Sequence, residues 1–98
     1  MRDSTRLLSW RMDQAQPVTE LYWRPGCGFC SRLIRGLEKA GVDFVAHNIW
    51  DDPDAAARVR SVARGNETVP TVFVGDWFGV NPSAGEVSAA VDRLNAGA

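Results

Sequence analysis

The sequence predicts a single α/β domain in which four strands form one sheet with helices on both faces. Three observations carry this reading. Short runs of β-branched and aromatic residues alternate with runs whose apolar residues recur at helical spacing, in the order strand, helix, strand, helix, strand, strand, helix. Glycine, proline or aspartate marks most of the junctions between them. The chain has 98 residues, room for one modest core, and shows neither a repeat nor a linker that would divide it.

Residues 1–17 form an N-terminal extension ahead of the domain at 18–98. Leu7, Leu8, Trp10 and Met12 fit a short amphipathic helix there, the alternative being disorder. The first strand is Val18 to Trp23, rich in residues that suit a pleated surface. Pro25 and Gly26 make the turn that follows. Phe29 to Ala40 reads as a helix with Leu33, Ile34 and Leu37 on one face, stopped by Gly41 in a left-handed cap. Val42 to Ile49 reads as the second strand, and a strand–helix–strand crossover makes it parallel to the first.

Asp52 and Pro53 are an N-cap and a first helical residue. Asp51 and Asp54 suit the same helix start, so these acids are read as capping residues and not as metal ligands. Ala56 and Val59, with Val62 or Ala63, turn that helix inward, and Gly65 ends it. Val72–Val74, a Gly75-Asp76 turn and Trp77–Val80 make a hairpin. Ser83 and Glu86 have the spacing of a capping box, with Pro82 just before it. Val87, Ala90, Val91 and Leu94 face inward from the last helix.

A formal net charge of −1 gives no electrostatic footprint for nucleic acid or a membrane surface. No run is apolar enough to span a bilayer. Arg2, Asp3, Arg6, Arg11 and Asp13 interrupt any secretory hydrophobic region. The expected compartment is the cytoplasm and the expected state a monomer.

The chemistry centres on Cys27 and Cys30, the only two cysteines, placed where the first strand gives way to the first helix. Helix N-terminal amides lack intrahelical partners and carry partial positive charge. A sulfur there is favoured as thiolate, the nucleophilic form. The sequence therefore predicts an exposed, acidic, attacking Cys27 and a more buried, resolving Cys30, with Arg24 as a nearby cation. Zinc would need further Cys or His ligands, and the only histidine is His47, read as a surface residue. A disulfide closing so short a loop would stabilise little. In a cytosolic protein a redox pair is the stronger reading.

A Cys-x-x-Cys pair at a strand-to-helix turn, followed about forty residues later by Thr68-Val69-Pro70, resembles the thioredoxin fold in its minimal, glutaredoxin-like form, a four-stranded mixed sheet with helices on both faces. The resemblance covers roughly Val18 to Leu94. It implies a cis Val69-Pro70 bond lying against the thiols, with Val69 backbone groups free to pair with an extended thiol substrate as an added strand would. Gly65-Asn66-Glu67-Thr68-Val69-Pro70-Thr71-Val72 and Asn81-Pro82-Ser83-Ala84-Gly85-Glu86-Val87 are similar to the mycoredoxins, which use mycothiol in place of glutathione. Their Cys-Gly-Tyr-Cys motif appears here as Cys27-Gly28-Phe29-Cys30. Their tryptophan before the first cysteine is replaced by Gly26, with Pro25 before it.

The resemblance implies a thiol–disulfide oxidoreductase with no tightly bound cofactor and no metal. Mycothiol would be its co-substrate, glutathione being disfavoured because the Gly-Gly and acidic pair of glutathione-using members are absent from the region Gly79 to Ala84. Arg24, Thr68, Val69, Pro70 and Ser83 would hold the thiol. The partners would be S-thiolated or oxidised proteins and the reductases that recycle the system, thioredoxin or mycothione reductase. Gly28, in place of the proline of many glutaredoxins, loosens the turn and points to a relatively reducing couple. Trp23, Phe29 and Trp77 are candidate flat faces for sugar rings; equally, Trp23 fits a strand residue packed on the core and Trp77 a hairpin residue, and Tyr22 is assigned to the core. Two alternatives stand beside this reading. One is a dithiol electron donor, for example to ribonucleotide reductase, recycled by thioredoxin reductase. The other is an iron–sulfur-binding glutaredoxin with a cluster bridged by Cys27.

Overall fold

A computed structural model describes residues 19–97. The expected strand residue Val18 and the helix or disorder expected over residues 1–17 lie outside these described residues. The elements follow the order β1 (Thr19–Trp23), α1 (Gly28–Lys39), β2 (Val45–Asn48), α2 (Pro53–Val62), β3 (Thr71–Val74), β4 (Trp77–Val80) and α3 (Ala84–Gly97). The four strands form one mixed sheet in the order β2-β1-β3-β4. β1 runs parallel to β2 and antiparallel to β3, and β3 pairs antiparallel with β4.

The pleat sorts side chains onto two faces. Leu21, Val72 and Val74 point to one face and meet Leu33 and Leu37 of α1 and Val87 and Ala90 of α3. Tyr22 and Phe73 point to the other and meet Ala55, Ala56 and Val59 of α2, together with Ile49 and Ala63. Each face thus has its own core. Leu37 is wholly buried, so cutting it to alanine would cost about 2–5 kcal/mol. Gly36 lets the two helices of the first face approach closely: a Cβ there would stand 2.9 Å from the Cβ of Ala84. This brings the start of α3 beside α1.

Local signals set most boundaries. Gly41 takes φ +74°, and the Gly41 and Val42 amides donate to Glu38 and Leu37 carbonyls at 3.1 and 2.9 Å, closing α1. Because Val42 completes that cap, β2 starts only at Val45, later than the sequence predicts. At α2, Asp52 Oδ1 accepts from the Asp54 and Ala55 amides at 3.0 and 3.3 Å. Its end departs slightly from expectation: Arg64 already adopts φ 57°, one residue ahead of Gly65. The capping box of α3 is reciprocal. The Ser83 amide donates to Glu86 Oε1 at 2.8 Å, and the Glu86 amide donates to Ser83 Oγ at 3.1 Å.

Candidate active site

The turn after β1 needs one residue in the left-handed region, and Gly26 supplies it at φ +77°. The next residue, Cys27, returns to extended backbone and becomes the N-cap of α1. Its sulfur accepts the Cys30 amide at 3.2 Å, so the thiol fills the place usually taken by a serine or aspartate oxygen. The sulfur also lies 3.9 Å from the Val69 carbonyl oxygen, a weak S–H···O contact across 42 positions of sequence. These two contacts correct the expectation of an exposed Cys27. It is only 9 % accessible, because the side chain folds back over the first helical turn and under Val69.

Cys30 is deeper, at 2 %. Burial pushes its ionisation up to about 12, helped by the hydrogen bond to Cys27 and by negative charge on that sulfur. The Arg24 backbone amide and guanidinium charge pull the other way without prevailing. The arrangement therefore keeps a proton on the inner sulfur and leaves the outer one at the helix mouth. Both cysteines are free thiols.

The Val69-Pro70 peptide is cis. The Thr68 carbonyl accepts from Thr71 Oγ1 at 2.7 Å, while the Pro70 carbonyl accepts the Asn81 amide at 2.7 Å. The loop facing Cys27 is thus tied to the β4–α3 junction. Asn81 holds φ 56°, a conformation asparagine tolerates better than most residues. Beyond it, Ser83 joins Phe29, Arg32, Asn81 and Pro82 around a groove of about 500 Å³ between α1 and the start of α3. Ser83 therefore lies on the flank of the thiol turn, with its oxygen engaged in the helix cap. On the opposite flank Arg24 donates from Nη1 to the Pro25 carbonyl at 3.3 Å, and its guanidinium carbon lies 5.9 Å from the centroid of the Trp50 ring.

The structure decides between the two readings of the aromatic residues. Trp23 and Trp77 pack against the α1–α3 core, and the Trp77 ring lies across Gly79, 2.7 Å from where a Cβ would stand. Phe29 remains free, at 61 % exposure. His47 is not a plain surface residue. It stacks on Tyr22 with ring centroids 4.7 Å apart, and its buried Nε2 lies 3.6 Å from Glu20 Oε2. The β1–β2 register sets Tyr22 opposite His47, which is why the ring is covered.

Sequence reasoning missed Trp50, Arg32 and Asn81. A signal existed for two of them: Asn81-Pro82 is a turn dipeptide, and Trp50 is a large aromatic in an otherwise acidic loop.

The glutaredoxin family profile matches residues 19–78. Mycoredoxin 1 of Corynebacterium glutamicum is 35 % identical over 75 residues, covering 76 % of this chain and 92 % of that protein. The glutaredoxin-like protein NrdH of Escherichia coli is 36 % identical over 64 residues, 63 % of this chain and 76 % of that one. A solved structure of NrdH-redoxin from Escherichia coli, described as having a thioredoxin-like activity profile, superposes with a TM-score of 0.63 at 28 % identity over 72 % of this chain and 91 % of its own. A glutaredoxin from Archaeoglobus fulgidus shares the fold, with a TM-score of 0.64 at 23 % identity over 80 % of this chain and 89 % of that one. Among the described residues no helix is long and apolar enough to cross a membrane. With two thiols at a helix mouth facing a cis-proline loop, and with that match, the chain belongs to the glutaredoxin family of thiol–disulfide oxidoreductases.

Proposed function

We propose that this chain reduces mixed disulfides between proteins and mycothiol. The observation that carries the reading is the Cys27 sulfur held between the Cys30 amide at 3.2 Å and the Val69 carbonyl at 3.9 Å. The similarity to mycoredoxin 1 over nearly all of that protein supports the choice of thiol. The Cys27 thiolate attacks the mycothiol sulfur of the mixed disulfide. The protein sulfur leaves as thiolate and takes a proton, and a Cys27–mycothiol disulfide forms. A second mycothiol thiolate then attacks the bound mycothiol sulfur, giving mycothiol disulfide and free Cys27. Alternatively Cys30, after losing its proton, attacks Cys27 and releases mycothiol.

In this reading Thr68, Val69 and Pro70 form the edge along which the thiol lies. Arg24 and Ser83 bracket it from either side. A cytoplasmic location goes with this chemistry, since it works where thiols are kept reduced. Mycothione reductase would be the recycling partner.

A second reading, a dithiol donor recycled by thioredoxin reductase, draws support from the similarity to NrdH and from Cys30 lying within reach of Cys27. The Cys30→Ser variant separates the two. Exposed to oxidised mycothiol and oxidised glutathione together, it is expected to carry one mycothiol on Cys27 by mass spectrometry and to keep its activity on mixed disulfides. A glutathione adduct would replace the thiol in this reading. Loss of all activity would leave the dithiol donor.

A further inference from the structure

Trp50 sits just past the end of β2, at the end of the sheet that carries the thiol turn. It is 63 % exposed, yet it is not loose. Its amide donates to Asn48 Oδ1 at 3.0 Å, and Asn48 Nδ2 donates to Asp51 Oδ2 at 3.2 Å. The preceding Ile49 is buried, and its amide donates to the Trp23 carbonyl at 2.9 Å. The indole is thus held out into solvent by a fixed loop. Its neighbour is Arg24, three residues ahead of Cys27, with the guanidinium 5.9 Å from the ring centroid. Two exposed acids, Asp51 and Asp52, follow it directly.

An indole face, a planar fork of N–H donors and adjacent carboxylates suit one kind of ligand. A sugar ring places its C–H face on an aromatic plane and points its hydroxyls outward, where guanidinium hydrogens donate to them and carboxylates accept from them. A ligand bearing carboxylates would gain Arg24, leave the indole unused and meet the charge of Asp51 and Asp52.

We propose that Trp50 and Arg24 form the seat for the sugar of the low-molecular-weight thiol while its sulfur is bonded to Cys27. This rests on the mycothiol reading above and adds Trp50 as its specificity-determining residue. Trp50 follows the edge strand β2 and Asn81-Pro82-Ser83 follows β4 at the other edge, so the platform flanks the thiol turn on the side away from the Phe29–Ser83 groove.

One peptide is made as two mixed disulfides, one with mycothiol and one with 2-mercaptoethanol, which has no ring. For Trp50→Ala the KM for the mycothiol peptide is expected to rise about tenfold with kcat little changed, while the 2-mercaptoethanol peptide behaves as with the unaltered chain. Trp50→Phe restores most of the loss. The thiol-free sugar moiety of mycothiol should compete in the unaltered chain and fail to compete in Trp50→Ala. Equal KM values for Trp50→Ala and the unaltered chain, with mycothiol turnover intact, overturn the platform and leave the functional reading standing. An equal loss on both peptides assigns the indole a structural role and also overturns it. An unaltered chain that reduces the 2-mercaptoethanol peptide and not the mycothiol peptide removes the functional reading, and the platform with it.

Discussion

The backbone amide of Cys30 donates to the Cys27 sulfur across 3.2 Å, so one thiol caps the helix that carries the other. This contact links structure to chemistry in two ways. It sets the two sulfurs one helical turn apart, within reach of a disulfide. It also directs the helix-end amide at the outer sulfur, while the inner one is left buried, which opposes its ionisation.

The proton order is open to direct test. Cys30 has its ionisation pushed up to about 12, so below that pH it stays a thiol and does not attack electrophiles. Iodoacetamide is therefore expected to add no group to Cys30 of the native chain at pH values well below 12, so that at most one group is added, on the outer sulfur. The second group should appear as the pH nears 12 or when denaturant exposes Cys30. Two rapid additions to the native chain near neutral pH would contradict the burial argument. The stability contribution has the matching sign: with the folded value above the unfolded one, it is fully present below the ordinary thiol range and is lost as the pH rises from there through about 12.

Much of the fold was legible because its signals are local. Asp52-Pro53, the Ser83–Glu86 box and the Gly41 stop each act within four residues, and each appears where the sequence places it. The two thiols at a helix mouth were legible for the same reason. Other features depend on what the sheet brings together. The burial of Cys27 requires Val69, 42 positions away, and that meeting was available only through a family resemblance. The covering of His47 requires the β1–β2 register, and no local pattern encodes it. Trp50 gains meaning only beside Arg24, which the parallel crossover delivers.

Gly28 is the first residue of α1, and Cys27 before it already has φ −96° and ψ 107°. That extended conformation is the one a residue preceding proline adopts. The first helical position needs no amide donor, and a Cβ on Gly28 meets nothing within 4 Å. Gly28→Pro is therefore expected to fold and to gain about 0.4–1 kcal/mol from a stiffer unfolded chain. A denaturant midpoint lower than that of the unaltered chain would show that the turn relies on glycine.

Gly36→Ala should go the other way. Alanine is the better helix former by about 1 kcal/mol, but its Cβ would lie 2.9 Å from the Cβ of Ala84, and two packed helices must part to admit it. The clash is expected to prevail, at a net cost of about 1–3 kcal/mol, as overpacking usually does. Chemical denaturation measures it, and an unchanged or raised midpoint would contradict the close approach.

Ser83 and Glu86 close the same end of α3 from both sides. Ser83→Ala leaves the Glu86 amide without its acceptor and is expected to cost about 1 kcal/mol. Ser83→Asp keeps an acceptor oxygen and should recover most of that loss. Thermal melts of the three chains test the order, and a stable Ser83→Ala would mean the box contributes nothing.

Tyr22 is the only tyrosine, so its titration can be read without ambiguity. Burial raises its pKa above the ordinary value, against a hydrogen bond from Arg58 Nη1 at 2.8 Å that lowers it. Tyrosinate absorbance of the folded chain is expected to appear above about pH 10 and to return to about 10 in denaturant. Because the folded value is the higher one, the linked stability is present below about pH 10 and is lost as the pH climbs through the folded value. Arg58→Met keeps an aliphatic stem over Phe73, where the guanidinium carbon lies 4.0 Å from the ring centroid, but removes the donor and the positive charge. It also leaves Glu20, paired with Arg58, as an uncompensated negative neighbour. Both changes favour the neutral phenol, so the midpoint should move further up, and a downward move would show that Arg58 does not hold the tyrosine as the structure places it.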